Sequence, residues 1–284
     1  MKISNTIAST MLAALILTGQ AGAQVYGCNW TGQAFWRGAG LPDVERCIKA
    51  GANIDARDEH GWTPLHYAAH SGTAESVQAL LDAWADVGAR DKNEWTPLHV
   101  AAKAGTAESV QALIAAGADI EARDKNEWTP LYVAAKAGTA ESVQALIAAG
   151  ADIEAREELF GHTPLHWARD RETAQALIAA GADIGARDEL GNTPLHVAAI
   201  SSTADSVQVL IAAGADLGAR DALGSTPLHV AAEYGTAESV QALIAAGADI
   251  RARDRYGELA ADLAEDNEAV RNHPVFSTLN EARD

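Results

Sequence analysis

The sequence predicts an all-helical repeat protein, a solenoid of stacked helix–turn–helix units, and three observations carry that prediction. Thr-Pro-Leu recurs at Thr63, Thr96, Thr129, Thr163, Thr193 and Thr226, at intervals of 33, 33, 34, 30 and 33 residues. A fixed period in this range marks a repeat architecture. A second landmark, Gly-Ala-Asp-Ile or a close variant, recurs with it at Gly51, Gly117, Gly150, Gly181, Gly214 and Gly247, and in one further copy Trp84 takes the place of the glycine. Alanine supplies 63 of the 284 residues, while aromatics make up 5%. Small side chains suit thin, closely packed helices; a sandwich or barrel needs more β-branched and aromatic residues.

The N-terminal segment comes first. Lys2 is the only charge in the first 36 residues, the run Ile7–Leu17 is largely apolar, and Ala21-Gly22-Ala23 follows. A positive start, a short apolar core and a small-x-small site predict a secretory signal peptide over residues 1–23. The run is shorter than the roughly 20 apolar residues a membrane span needs. Cleavage would leave Gln24 first and change the net charge from −18 to −19, since Lys2 is lost. Two alternatives stay open, a buried N-terminal helix and a lipid anchor at Cys28. Export makes a disulfide between Cys28 and Cys47 the expected state of the two cysteines, with two separate buried thiols as the alternative.

Within one unit, Thr96 is a good helix N-cap and Pro97 suits the first helical position, where the missing N–H has no partner to lose. Leu98, Ala101 and Ala102 give a short first helix a slim apolar stripe. Gly105 is expected to make a left-handed turn into a second helix capped by Thr106, with Glu108 in its first turn. Val110, Leu113 and Ile114 fall on its buried face, and Gly117 ends it in a left-handed residue. Such a unit buries too little alone and must stack on its neighbours.

These units resemble the ankyrin repeat. The match rests on Thr-Pro-Leu-His-x-Ala-Ala at Thr63, Thr193 and Thr226 with Gly-Ala-Asp-Ile downstream. The resemblance implies an ankyrin solenoid with connecting loops or β-hairpins. It divides the chain into an N-terminal segment and cap repeat (24–57), six repeats (58–90, 91–123, 124–156, 157–187, 188–220 and 221–253) and a C-terminal cap repeat (254–284). Units 91–123 and 124–156 differ only at His99 against Tyr132. Unit 157–187 is about three residues short between its helices, and this is expected to weaken the stack there. Glu94 and Glu127 replace the loop glycine seen at Gly61, Gly191 and Gly224, beside Asn93 and Asn126, which tolerate left-handed backbone better than most residues.

Candidate chemistry is sparse. His66, His99, His166, His196 and His229 follow Thr-Pro-Leu, and the resemblance implies that they hydrogen-bond loop backbone. No metal-ligand spacing, nucleophile motif or phosphate loop occurs, so neither an enzyme nor a cofactor is expected. In the acidic loops Arg57 stands where calcium needs oxygen. The charge of −18 argues against nucleic-acid binding, which needs a basic face, and no membrane insertion is expected after cleavage.

The resemblance implies that partners contact the concave first-helix face and the loop tips. Trp62, Trp95 and Trp128 precede Thr-Pro in successive units, while His70, Lys103 and Lys136 follow the Ala-Ala pair. Stacking would gather them into an aromatic and cationic patch. These six are the expected binding residues, and the expected partner is a protein or peptide that presents an acidic or aromatic surface. The overall reading is an exported, periplasmic or secreted, monomeric protein-binding module. The alternative is a structural protein of the cell envelope without a specific partner. For Trp84 two readings stand: it covers an apolar gap beside Leu80 or Leu81, or it is exposed.

Overall fold

The structure, a computed structural model, describes residues 28–283 other than Gly105 and residues 201–203. The expected signal segment and the expected turn at Gly105 lie outside the described residues.

Helices α1 (Gln33–Trp36) and α2 (Leu41–Lys49) open the stack. Three regular pairs follow: α3 (Pro64–Ser71) with α4 (Ala74–Asp82), α5 (Pro97–Ala104) with α6 (Ala107–Ala115), and α7 (Pro130–Ala137) with α8 (Ala140–Ala148). In the next unit the first helix shrinks to a 3₁₀ turn, Pro164–Trp167, before α9 (Arg171–Ala179). Regular pairs resume with α10 (Pro194–Ala199) and α11 (Asp205–Ala212), then α12 (Pro227–Tyr234) and α13 (Ala237–Ala245). Helices α14 (Ala260–Leu263), α15 (Glu268–Arg271) and α16 (Val275–Asn280) close the stack.

Two leucine columns run through it. Leu65, Leu98, Leu131, Leu165, Leu195 and Leu228 come from the first elements of the units, and Leu80, Leu113, Leu146, Leu177, Leu210 and Leu243 from the second; all are buried. Each contributes about 1.5–3 kcal/mol on burial, and much of the covering surface belongs to the next unit.

The motif histidines join unit to unit. The Thr63 N–H donates to Nδ1 of His66 at 3.1 Å, leaving Nε2 to donate to the Trp95 carbonyl at 3.0 Å. His99, His166, His196 and His229 reach Trp128, Asn192, Ser225 and Glu258 in the same way. Each histidine therefore caps its own helix and ties down the following loop. Burial holds all five below the ordinary imidazole pKa, His166 at about 4.

No strand occurs among the described residues, so the connections are loops rather than hairpins, with one isolated bridge, Arg253–Leu259. The cause lies in where the loop backbone bonds go. Asp58 Oδ1 accepts from the His60 and Trp62 amides at 2.8 Å each, and one backbone bond, Lys92 N–H to His60 O, joins neighbouring tips. Arginines bind the rest. Arg90 Nη1 donates to the Arg123 carbonyl at 2.7 Å, and Arg57, Arg123, Arg156, Arg187 and Arg220 repeat the step to the next unit.

Local backbone geometry amends the expectation at the loop tips and decides between the two readings of Trp84. The left-handed turn between helices occurs at Gly138 (φ +75°), but Gly72 has φ −85° and is glycine because a Cβ would stand 2.6 Å from the Ala68 carbonyl oxygen. At the loop tips the left-handed residues are Glu94 and Glu127 themselves, at φ 64° and 59°, not the neighbouring asparagines. The tight turn Glu94 N–H to Asp91 O fixes that register, as Gly61 N–H to Asp58 O does elsewhere, and Arg90 pairs with Glu94 at 3.3 Å. Trp84 keeps the left-handed turn of its glycine counterparts, with φ 68°, and its side chain is 90% exposed. It covers no gap.

Cys28 and Cys47 form a disulfide with the α carbons 5.5 Å apart, joining the first described residue to α2. Beneath it Trp30 is buried and donates to the Asn53 carbonyl.

Candidate functional site: an aromatic and cationic cleft

The expected patch is assembled in the structure, but its tryptophans are only half exposed. Trp62 lies against His66, Tyr67 and His70. Its indole N–H donates to Asp91 of the next unit at 3.0 Å, and that of Trp95 donates to Asp124 at 2.7 Å. These two indoles are therefore partly structural. Lys103 stands over Trp95 with its ammonium 5.3 Å from the ring centre. His70 is exposed at the end of the row.

Trp128 differs. The next unit carries Glu157 where the others carry aspartate, and the longer side chain turns back into its own loop. It accepts from the Leu159, Phe160 and His162 amides at 2.7, 2.9 and 3.1 Å. The Trp128 indole N–H is left with no acceptor among the described residues. The next position in the row is His162, whose Nε2 lies 3.1 Å from Asp188, so it replaces an indole in the inter-unit bond.

The same joint lacks a second bond. Tyr132 stands in the histidine position of α7, and its hydroxyl makes no hydrogen bond to the next loop among the described residues. Burial holds that hydroxyl protonated by raising its pKa. On the far side, the 3₁₀ turn ends in Trp167, where four regular first helices carry Val100, Val133, Val197 and Val230 and α3 carries Tyr67. The Trp167 indole donates to His162 Nδ1 at 3.1 Å.

The result is an open cleft of about 690 Å³ between units 124–156 and 157–187. Trp128, Tyr132, Phe160 and Trp167 supply much of its wall, and Lys125, Lys136, Glu157 and Glu158 also line it. The Lys136 ammonium is clamped between two indoles, 3.9 Å from the centre of Trp128 and 4.4 Å from that of Trp167. Its pKa is lowered, first by burial and then by the charge of Arg169, which itself lies 5.4 Å from Trp167. Among the described residues Lys136 makes neither an ion pair nor a hydrogen bond through its ammonium.

A family model for ankyrin repeats matches three times, over residues 34–124, 102–188 and 169–254. The chain is an ankyrin repeat protein. Over short stretches it is 34% identical to Protein VAPYRIN-LIKE of Medicago truncatula (58 residues, 19% of this chain) and 48% identical to the RelA-associated inhibitor of Mus musculus (44 residues, 16% of this chain). It spans 12% and 5% of those relatives' lengths. The crystal structure of the human ASB11 ankyrin repeat domain superposes with a TM-score of 0.67 at 29% identity, covering 77% of this chain and 98% of that one. The ankyrin repeat domain of Bcl-3, a member of the IkappaB protein family, gives 0.58 at 29% identity, over 74% and 95%. Ankyrin repeats are generally protein–protein interaction modules.

Two features of this ankyrin stack escaped the sequence reading. One is the cleft itself, because Trp167 and Phe160 stand outside the Trp-Thr-Pro pattern. The other is the row of loop tips. It is polar in His60, Asn93 and Asn126 but apolar and exposed in Phe160, Leu190, Leu223 and Tyr256. Aligning the residue before each loop glycine would have shown that change. Among the described residues no cluster of His, Cys, Asp and Glu could hold a metal, and no helix is long and apolar enough to cross a membrane.

Proposed function

We propose that this chain is an exported, monomeric, non-enzymatic protein-binding module, and that its principal contact site is the cleft walled by Trp128 and Trp167. The clamped, unpaired Lys136 between two half-exposed indoles carries this reading. Exposed aromatic and cationic side chains gathered in a recess are the usual anchors of an interface. Trp62, Trp95, Lys103 and His70 extend the contact along the first-helix face, and the apolar tips extend it toward the C-terminus. Export rests on the sequence of residues 1–23 and agrees with the disulfide, which favours an oxidising compartment.

The test is crosslinking capture in the exporting organism, with the captured protein identified by mass spectrometry, purified and titrated. A Trp128→Ala, Trp167→Ala variant is expected to lose about 10-fold or more in affinity, the usual weight of aromatic anchors. Its circular dichroism should remain helical. Unchanged affinity would move the site elsewhere. Sequencing of the exported form should begin at Gln24. The purely structural alternative finds support in Trp62 and Trp95, whose indoles bond neighbouring units, and an export-competent strain in which no protein is captured would favour it.

A further inference from the structure

Two hydrogen-bond donors in the cleft are unmet. The Lys136 ammonium and the Trp128 indole N–H both lack an acceptor among the described residues, and both line the same recess. Two of the nearby acids are already taken, and a third, Glu158 of the lining, is exposed and bonds to neither donor. Asp124 accepts from the Trp95 indole and from the Asn126 and Trp128 amides. Glu157 accepts from three amides of its own loop. Elsewhere the loop arginines are satisfied in place, since they spend their guanidinium on carbonyls of the next unit. Lys125, Lys136 and Arg169 form no ion pair among the described residues. This joint thus holds an unpaired ammonium framed by flat apolar walls.

We infer that the cleft takes an extended peptide segment of a partner protein, in which a side-chain carboxylate accepts from Lys136 while an adjacent aromatic or large aliphatic side chain packs against Trp128, Trp167 and Phe160. The inference rests on the binding-module reading and adds the ligand class. A carboxylate is the complement the site lacks: it supplies two oxygens, one for the ammonium and one within reach of a neutral N–H donor. Burial between the indoles strengthens that contact, because screening water is displaced. An internal segment fits better than a chain end, because binding surface continues in both directions. Trp95 and Trp62 prolong the aromatic row on one side, and Leu190 and Leu223 prolong the apolar tips on the other. A partner cation would have to displace Lys136 from both indoles and would face Arg169 as well.

A phage-displayed library of random short peptides is selected on the full chain, and enriched peptides are synthesised and titrated by calorimetry. Enrichment of Asp or Glu beside Trp, Phe or Leu is expected. Neutralising that acid to its amide, or Lys136→Gln in the protein, should each cost about 10-fold or more, and the two losses should not add when combined. Lys49→Gln, an exposed cation on α2 away from the cleft, should leave affinity within about 3-fold, as for a solvated charge. Trp167→Val, which installs the residue of four of the regular units, should abolish binding of the same peptides while the helical signal persists. Peptides rich in Lys or Arg, or affinities indifferent to the peptide acid, would overturn the inference. Peptides that bind but ignore both Lys136 and Trp167 would overturn it and leave the module reading standing. Failure to enrich any peptide would count against both.

Discussion

Trp84 shows what a single residue reveals when its neighbours supply the reference. Six glycines hold the same position with φ between 75° and 95°, and Trp84 adopts φ 68° there with its ring in solvent. A left-handed backbone costs a residue with a Cβ roughly 1–2 kcal/mol, and an exposed indole returns none of it through packing. Trp84→Gly is therefore expected to raise stability by about 1 kcal/mol in a denaturant melt. A lower midpoint would mean that the indole holds something in place. Glu127→Gly relieves the same backbone cost but also removes the Arg123–Glu127 pair, so its gain should be smaller. The occupancy of these positions was legible in the sequence. The exposure of Trp84 was one of two readings left open by the sequence, and the small neighbours Ala83 and Ala85, which build no pocket, pointed to it.

Among the elements, the pair α5–α6 and α7–α8 is a natural experiment. Their units differ at one residue, yet His99 bridges to the next loop while Tyr132 does not. Tyr132→His is expected to restore a bond to the His162 carbonyl and to raise the melting temperature by an amount equivalent to about 1 kcal/mol. No rise would show that the 3₁₀ turn holds that carbonyl out of reach. Helix starts, buried faces and the short unit could all be read from spacing, because Thr-Pro caps and periods of three and four residues are local signals. The cleft could not, because it needs three departures at one joint: Glu157 for aspartate, Tyr132 for histidine and Trp167 for valine. The loops were misjudged as possible hairpins for a related reason. Arg57 was read only as an obstacle to calcium, yet its bond to Arg90 spans 33 residues and takes the place of strand pairing.

For the whole molecule, the five buried motif imidazoles, together with the buried His162, make stability depend on acidity. Their folded pKa values lie below the value of 6.5 they carry when exposed, with burial as the leading cause. The unfolded chain thus binds more protons in mild acid, so stability is complete above 6.5 and is lost as the pH falls through 6.5 toward the folded values. The melting temperature should drop from about pH 7 to about pH 5, before most carboxylates titrate. A flat profile would mean that the histidines leave their bonds and charge without unfolding the stack.

The arginine chain along the loops has a consequence of another kind. Its rung at the short unit spans 31 residues where the others span 33, and still closes at 2.7 Å. The residues missing from that unit come out of its helical part, so the loops behave as the spine of a book whose pages need not match. One page can be cut short and keep its place in the binding. The gap it leaves is the recess where Lys136 stands between two rings, and the arginine spine crosses it unbroken although two other bonds of the joint are lost.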